Sequence, residues 1–141
     1  MINEKKFFLT AFFILVITVG CSKFPELGKG YKFIYNSFDD IGIVNKNDIF
    51  VIHGGVIEYG CNDKFIIASE RPRDSVPECN FQNGENMGDC NRAYNESDFF
   101  QYWIICKDND SVWGPFKKDE FLIKRKEKGV PVYLHLVPVQ N

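Results

Sequence analysis

The sequence predicts an α+β fold: a mostly antiparallel β-sheet meander with one helix of the C-terminal half packed on it, behind a cleaved N-terminal signal helix. Three observations lead there. Short apolar and aromatic runs recur from Tyr31 to Ser69 between turns rich in Gly, Asn and Asp. A denser run, Asp98 to Cys106, carries apolar and aromatic residues on both alternating faces. Lys117 to Lys128 holds good helix formers, with Pro115 ahead of it and Gly129 just after it.

Lys5 and Lys6 give the chain a positive start, Phe7 to Val19 is apolar except for Thr10 and Thr18, and Gly20 places a small residue before Cys21. A membrane-spanning helix needs roughly 20 apolar residues, and Ser22, Lys23 and Pro25 end this stretch sooner. Residues 1–20 therefore read as an export signal. Residues 21–30, with Pro25, Gly28 and Gly30, have the composition of a flexible tether, and residues 31–141 suffice for a single small globular domain.

Within that domain Tyr31-Lys32-Phe33-Ile34-Tyr35 is a strand that stops at Asn36-Ser37, and Ile41 to Val44 is a weaker one interrupted by Gly42. Asp48 to His53 closes on Gly54-Gly55, a pair suited to a tight turn into Val56-Ile57-Glu58-Tyr59. Gly60-Cys61-Asn62-Asp63 turns again into Lys64 to Ser69, so these three strands are expected to form an antiparallel meander. From Glu70 to Ser97 the pattern dissolves into a connection far longer than the usual ~4 to 6 residues. Asp98 to Cys106 is expected to be the central strand, covered on both faces.

Ser111-Val112-Trp113 reads as a short strand ended by Gly114-Pro115. In the helix that follows, Phe121 and Leu122 are expected on the sheet. Asp119 and Glu120 lie early and Arg125, Lys126 and Lys128 late, as the helix dipole favours. Val130 to Val137 is expected to be a last, edge-like strand limited by Pro131 and Pro138.

The chain has five cysteines, and an odd number in an exported protein leaves one thiol over. If the strands ending at Ser69 and starting near Phe99 pair antiparallel, Cys106 comes beside the Cys61 turn. The geometric preference is then Cys61 with Cys106 and Cys79 with Cys90, one of the three connectivities that four cysteines allow. No C-x-x-C and no nearby histidine pair is present, so no metal is expected.

Thr18-Val19-Gly20-Cys21 resembles the lipobox of bacterial lipoproteins. The resemblance implies lipid on the thiol of Cys21, cleavage before it, and a membrane tether that does not span. Thr18 and Gly20 also meet the small-x-small pattern of ordinary secretory cleavage; cysteine parity favours lipid. Ser22 behind the cysteine resembles the sorting signal for the outer membrane.

Tyr102-Trp103-Ile104-Ile105, Trp113-Gly114-Pro115-Phe116, Phe121 and Gly129-Val130-Pro131, with Tyr59-Gly60, Asp63 and Phe65-Ile66-Ile67-Ala68 upstream, resemble a pattern in small uncharacterised bacterial lipoproteins carrying a domain of unknown function. That resemblance implies a fold and no mechanism. The Gly-Pro-Phe turn before a helix also looks like part of the GYF-type modules that bind proline-rich peptides. In that reading Tyr102, Trp103, Trp113 and Phe116 form a ligand platform. The alternative is that these rings are core, and the exposure of Trp113 separates the two.

The chain carries −2, and −3 once residues 1–20 leave with Lys5 and Lys6 against Glu4, so it offers no basic surface for nucleic acid. Lys117, Lys118, Lys124, Lys126 and Lys128 are a solvated helix face or an approach to anionic lipid. Enzyme chemistry has little to stand on. His53, with Glu58 or Asp63 as a partner, is the candidate base, while His135 alternates with Leu134 and Leu136. Asp39 and Asp40 with Asn36 and Asn45 are a solvated acidic turn before they are a calcium site, and no nucleotide motif or other cofactor signature is present. Asp74-Ser75-Val76 and Asp110-Ser111-Val112 look like the O-glycosylation sites of exported Bacteroidetes-type proteins.

The expectation is thus a lipid-anchored cell-envelope protein, at the outer membrane, that is not an enzyme and binds or supports another envelope protein or peptide. An aromatic peptide-binding module and an exported hydrolase are the alternatives.

Overall fold

The computed structural model describes residues 24–36, 40–76, 79 and 87–140. The signal at residues 1–20, the lipid site Cys21 and Asp39 lie outside the described residues. Within them the fold is α+β, built of antiparallel strands in two sheets with two α-helices.

The first sheet is small: β1 (Lys32–Asn36), β2 (Asp40–Val44) and β3 (Phe50–Ile52), in that order. Its turn from β2 to β3 is held by Asn45, whose Oδ1 accepts from the N–H of Asn47 at 2.9 Å and of Ile49 at 3.1 Å. The second sheet has the order β7-β6-β5-β4-β8, from β4 (Val56–Cys61), β5 (Phe65–Glu70), β6 (Gln101–Cys106), β7 (Ser111–Phe116) and β8 (Val137–Pro138). Strands β4 to β7 form the meander, each antiparallel to the next.

Alternation along β5 and β6 divides the core in two. Ile66, Ala68 and Ile105 face the small sheet, where they meet Leu27, Phe33, Ile43 and Ile52. Phe65, Ile67, Ile104 and Cys106 face the other way, against Phe121 of α2 (Lys118–Glu127) and against Val130 and Leu134. The result is three layers: small sheet, large sheet, helix.

Several expectations are corrected. β3 does not join the meander, because Gly54-Gly55 carries the chain between sheets. A Cβ on Gly54 would run into the Asp40 carboxylate, and one on Gly55, at φ +72°, into the Arg71 carbonyl. The middle strand is β5, buried from Phe65 to Ser69, and β6 lies one place further out. Gly114-Pro115 lies inside β7 and does not end it. The long connection contains α1 (Met87–Glu96), a polar helix whose single buried residue among its ten is Cys90, so hydrophobic periodicity could not reveal it. The last strand shrinks to Val137–Pro138, because residues 131–134 close a turn in which Leu134 N–H donates to Pro131 O at 3.1 Å.

The cysteines divide differently as well. Cys79 and Cys90 are bonded, across a sequence separation of 11. Cys61 and Cys106 are free, so the expected bridge between them is absent. β5 runs between their strands, Cys61 lies opposite Ile66 and Cys106 opposite Phe65, and neighbours on a strand point to opposite faces.

The described part of the expected tether makes contacts with the rest of the fold. Leu27 is 1% exposed, and Gly28 and Tyr31 form a bridge. The buried ammonium of Lys107 donates to Leu27 O at 2.6 Å, Lys29 pairs with Asp108, and Tyr31 OH donates to Asp110 Oδ1 at 2.9 Å. The ring of Phe24 stacks on Tyr35 and tilts against Phe33, both at 5.6 Å between centroids.

Candidate functional site

The helix-covered face carries part of the exposed apolar surface. α2 ends as its sequence requires: Gly129 takes φ +71°, its N–H reaches Lys126 O at 3.1 Å, and Val130 N–H reaches Arg125 O at 2.8 Å. That cap turns the chain back beneath the helix. Arg125 then fixes the returning segment, donating through Nη2 to Pro131 O at 3.1 Å and to Leu134 O at 2.7 Å, with its guanidinium over the Phe121 ring.

Phe121 is the one buried residue of α2 and stacks on Tyr102 at 5.0 Å. Leu122, expected on the sheet, is 45% exposed instead, its helix neighbour Ile123 is 59% exposed, and Val132, which shares a groove with Leu122, is 84% exposed. Between helix and returning segment runs a groove of about 340 Å³ lined by Leu122, Arg125, Lys126, Val130, Val132 and His135. A second hollow of about 210 Å³ shares Leu122, Arg125 and His135 and adds Tyr102, Lys118 and Glu58. Glu58 is already engaged, accepting from Ser69 Oγ at 2.8 Å. An apolar floor with a cationic rim suits an apolar side chain adjoining an anionic group.

The four rings of the expected platform do not come together. Tyr102, Trp113 and Phe116 are half-buried on the helix side, and Lys128 Nζ sits 4.5 Å from the Trp113 ring. Trp103 faces the small sheet and donates through Nε1 to Glu70 Oε2 at 2.6 Å. Adjacency in sequence already separated Tyr102 from Trp103 across the sheet.

The second concentration of polar groups lies where α1 meets the end of β5. Asp40 accepts from Gly55 N–H and pairs with Arg73 Nε at 3.5 Å, so its carboxylate is engaged within the fold. Tyr94 lies between the guanidinium groups of Arg71 at 5.6 Å and Arg73 at 5.7 Å, and its hydroxyl donates to Arg71 O at 2.6 Å. Burial pushes the Glu70 carboxyl above the ordinary carboxylate range, against the Trp103 hydrogen bond that favours its ionised form.

His53 is exposed and stacks on Phe50 at 5.4 Å. Neither expected partner serves it, since Glu58 is held by Ser69 and Asp63 lies at the other end of β4. Ser75 Oγ is buried, which removes Asp74-Ser75-Val76 as a sugar site in the folded chain. Among the described residues no group of three or more His, Cys, Asp or Glu is placed to hold a metal ion, and no helix is long and apolar enough to cross a membrane.

No curated protein and no solved structure matches this chain. A family profile does, over residues 28–140, from the clamped N-terminal segment through both sheets and both helices. With that span matched, the chain belongs to the family described as protein of unknown function DUF3997.

Proposed function

We propose that this is a lipid-anchored cell-envelope protein that binds another envelope component, without catalysis, through the exposed face of α2. The observation that carries the binding half is the groove beside Leu122 and Val132, where exposed apolar side chains stand among Arg125, Lys126 and Lys118. Its chemistry matches an apolar peptide segment bearing a carboxylate.

The anchoring half rests on the segment Lys5 to Cys21 itself. Cysteine parity no longer adds to it, because Cys61 and Cys106 are both unpaired. Ser22 after the lipid site makes the outer membrane the proposed location.

Two measurements test this. Radioactive palmitate should label the wild type and not Cys21→Ser; equal labelling, or none, removes the anchor. A photo-crosslinking residue at Leu122 should give a discrete adduct in native membranes that the same probe at Lys32, on the far sheet, does not. Identical patterns at both positions would remove the binding face.

The hydrolase reading keeps one observation in its favour, the raised Glu70 carboxyl near His53. Hydrolysis of a chromogenic ester or glycoside that is lost in Glu70→Gln would establish it, and unchanged turnover in that variant would dismiss it.

A further inference from the structure

We propose that the rim where the chain enters the fold, formed by Pro25, Tyr59, Val137 and Pro138, is seated on the bilayer surface to which Cys21 is attached. The inference rests on the lipid reading above and adds an orientation to it.

The rim is fixed relative to the whole domain. Leu27 is 1% exposed, its carbonyl is held by Lys107 at 2.6 Å, and the Lys29–Asp108 and Tyr31–Asp110 contacts tie the same segment to the β6–β7 turn. Phe24 is already packed on Phe33 and Tyr35. Only Ser22 and Lys23 lie between Cys21 and that packed residue, and three peptide steps reach about 10 Å at most. A bilayer's headgroup layer is about 5–7 Å thick on each side. The point where the chain enters the fold is thus held within about 10 Å of Cys21, so the surface around it lies next to the headgroups.

The chemistry of the rim fits that position. Val137 is 47% exposed between the exposed prolines Pro25 and Pro138, and with Tyr59 they line a hollow of about 360 Å³. Tyrosine with an apolar body and a polar tip favours the membrane interface. The nearby charge of Lys29 is already matched by Asp108, and exposed Glu26 has no ion pair among the described residues. Because the entering segment packs on one side of the large sheet and α2 on the other, seating the rim turns the α2 groove away from the lipid.

The test uses the full-length lipidated protein in phosphatidylcholine vesicles containing brominated phosphatidylcholine, with flotation measured on the same sample. Val137→Trp is the reporter and Val132→Trp, on the α2 side, the control; wild type supplies the background of Trp103 and Trp113. Pro25→Trp replaces the reporter if Val137→Trp does not fold. We expect emission from the rim reporter to be quenched at least threefold more than from the control. Equal quenching in protein that floats with the vesicles overturns the seating while leaving the anchor standing. Protein that does not float overturns the anchor, and the seating with it.

Discussion

The two faces of the large sheet are covered by different means. On one side the small sheet and the segment from Phe24 to Tyr31 close over Ile66, Ala68 and Ile105, and this cover is tied down by side-chain bonds from Lys107, Asp108 and Asp110. On the other a single helix contributes one buried residue, Phe121, and leaves Leu122 and Ile123 in the open. The first cover leaves Tyr35 and Ile49 exposed, the second Leu122, Ile123, Val132 and Tyr133. The larger exposed apolar set therefore lies on the side that side-chain bonds tie down less, which is the side the binding proposal uses.

The sharpest way to break this contrast is to empty each core. Phe121→Ala should cost about 3–5 kcal/mol and Ile43→Ala about 2–5 kcal/mol in urea unfolding. Hydrogen exchange should then separate them: Phe121→Ala releases α2 first, whereas Ile43→Ala weakens both sheets together. Leu122→Ala should stay within about 0.5 kcal/mol of wild type, as expected of a residue that serves the surface.

Next in size, Lys107→Met strands the Leu27 carbonyl and should cost about 1–3 kcal/mol, with faster proteolysis in the segment 24–31 and unchanged exchange in α2. Parallel loss in both regions would erase the distinction between the covers.

A smaller effect comes from Tyr31. Burial, then the bond to Asp110, pushes its hydroxyl up to about 12. An acid whose folded pKa lies above its unfolded one stabilises fully below about pH 10 and loses that contribution as pH rises through about 12. Tyr31→Phe should therefore lose about 1 kcal/mol at neutral pH and converge on wild type between those limits. The smallest expected change is chemical. Native protein should take up a thiol reagent at half-buried Cys61, and buried Cys106 should react only after unfolding. Protection of both would mean that Cys61 is as well covered as Cys106.

Much of the fold was legible because strands announce themselves by apolar density. The individual strands β4 to β7, α2 and its Gly129 end can be read from the sequence, since each sits between strong turn or cap residues, although the expected meander includes β3. What escaped depended on partners far along the chain. Gly54-Gly55 looks like a hairpin turn until Asp40 and Arg71 are known to press against it. α1 is polar and is held by Cys79 and Tyr94, features that carry no periodicity. Residues 24–30 have a linker's composition, yet Leu27 is clamped by a lysine in another part of the chain.

Of the candidate site, the basic late turn of α2 and its apolar residues were visible. The exposure of Leu122 was not, because it follows from where the returning segment lies. The split of Tyr102 from Trp103 was readable from strand alternation alone.

The bond from Lys107 to Leu27 spans 80 residues of sequence. During vectorial synthesis the segment around Leu27 thus emerges well before the lysine that will hold it. Its last fastening waits for the arrival of the β6–β7 turn.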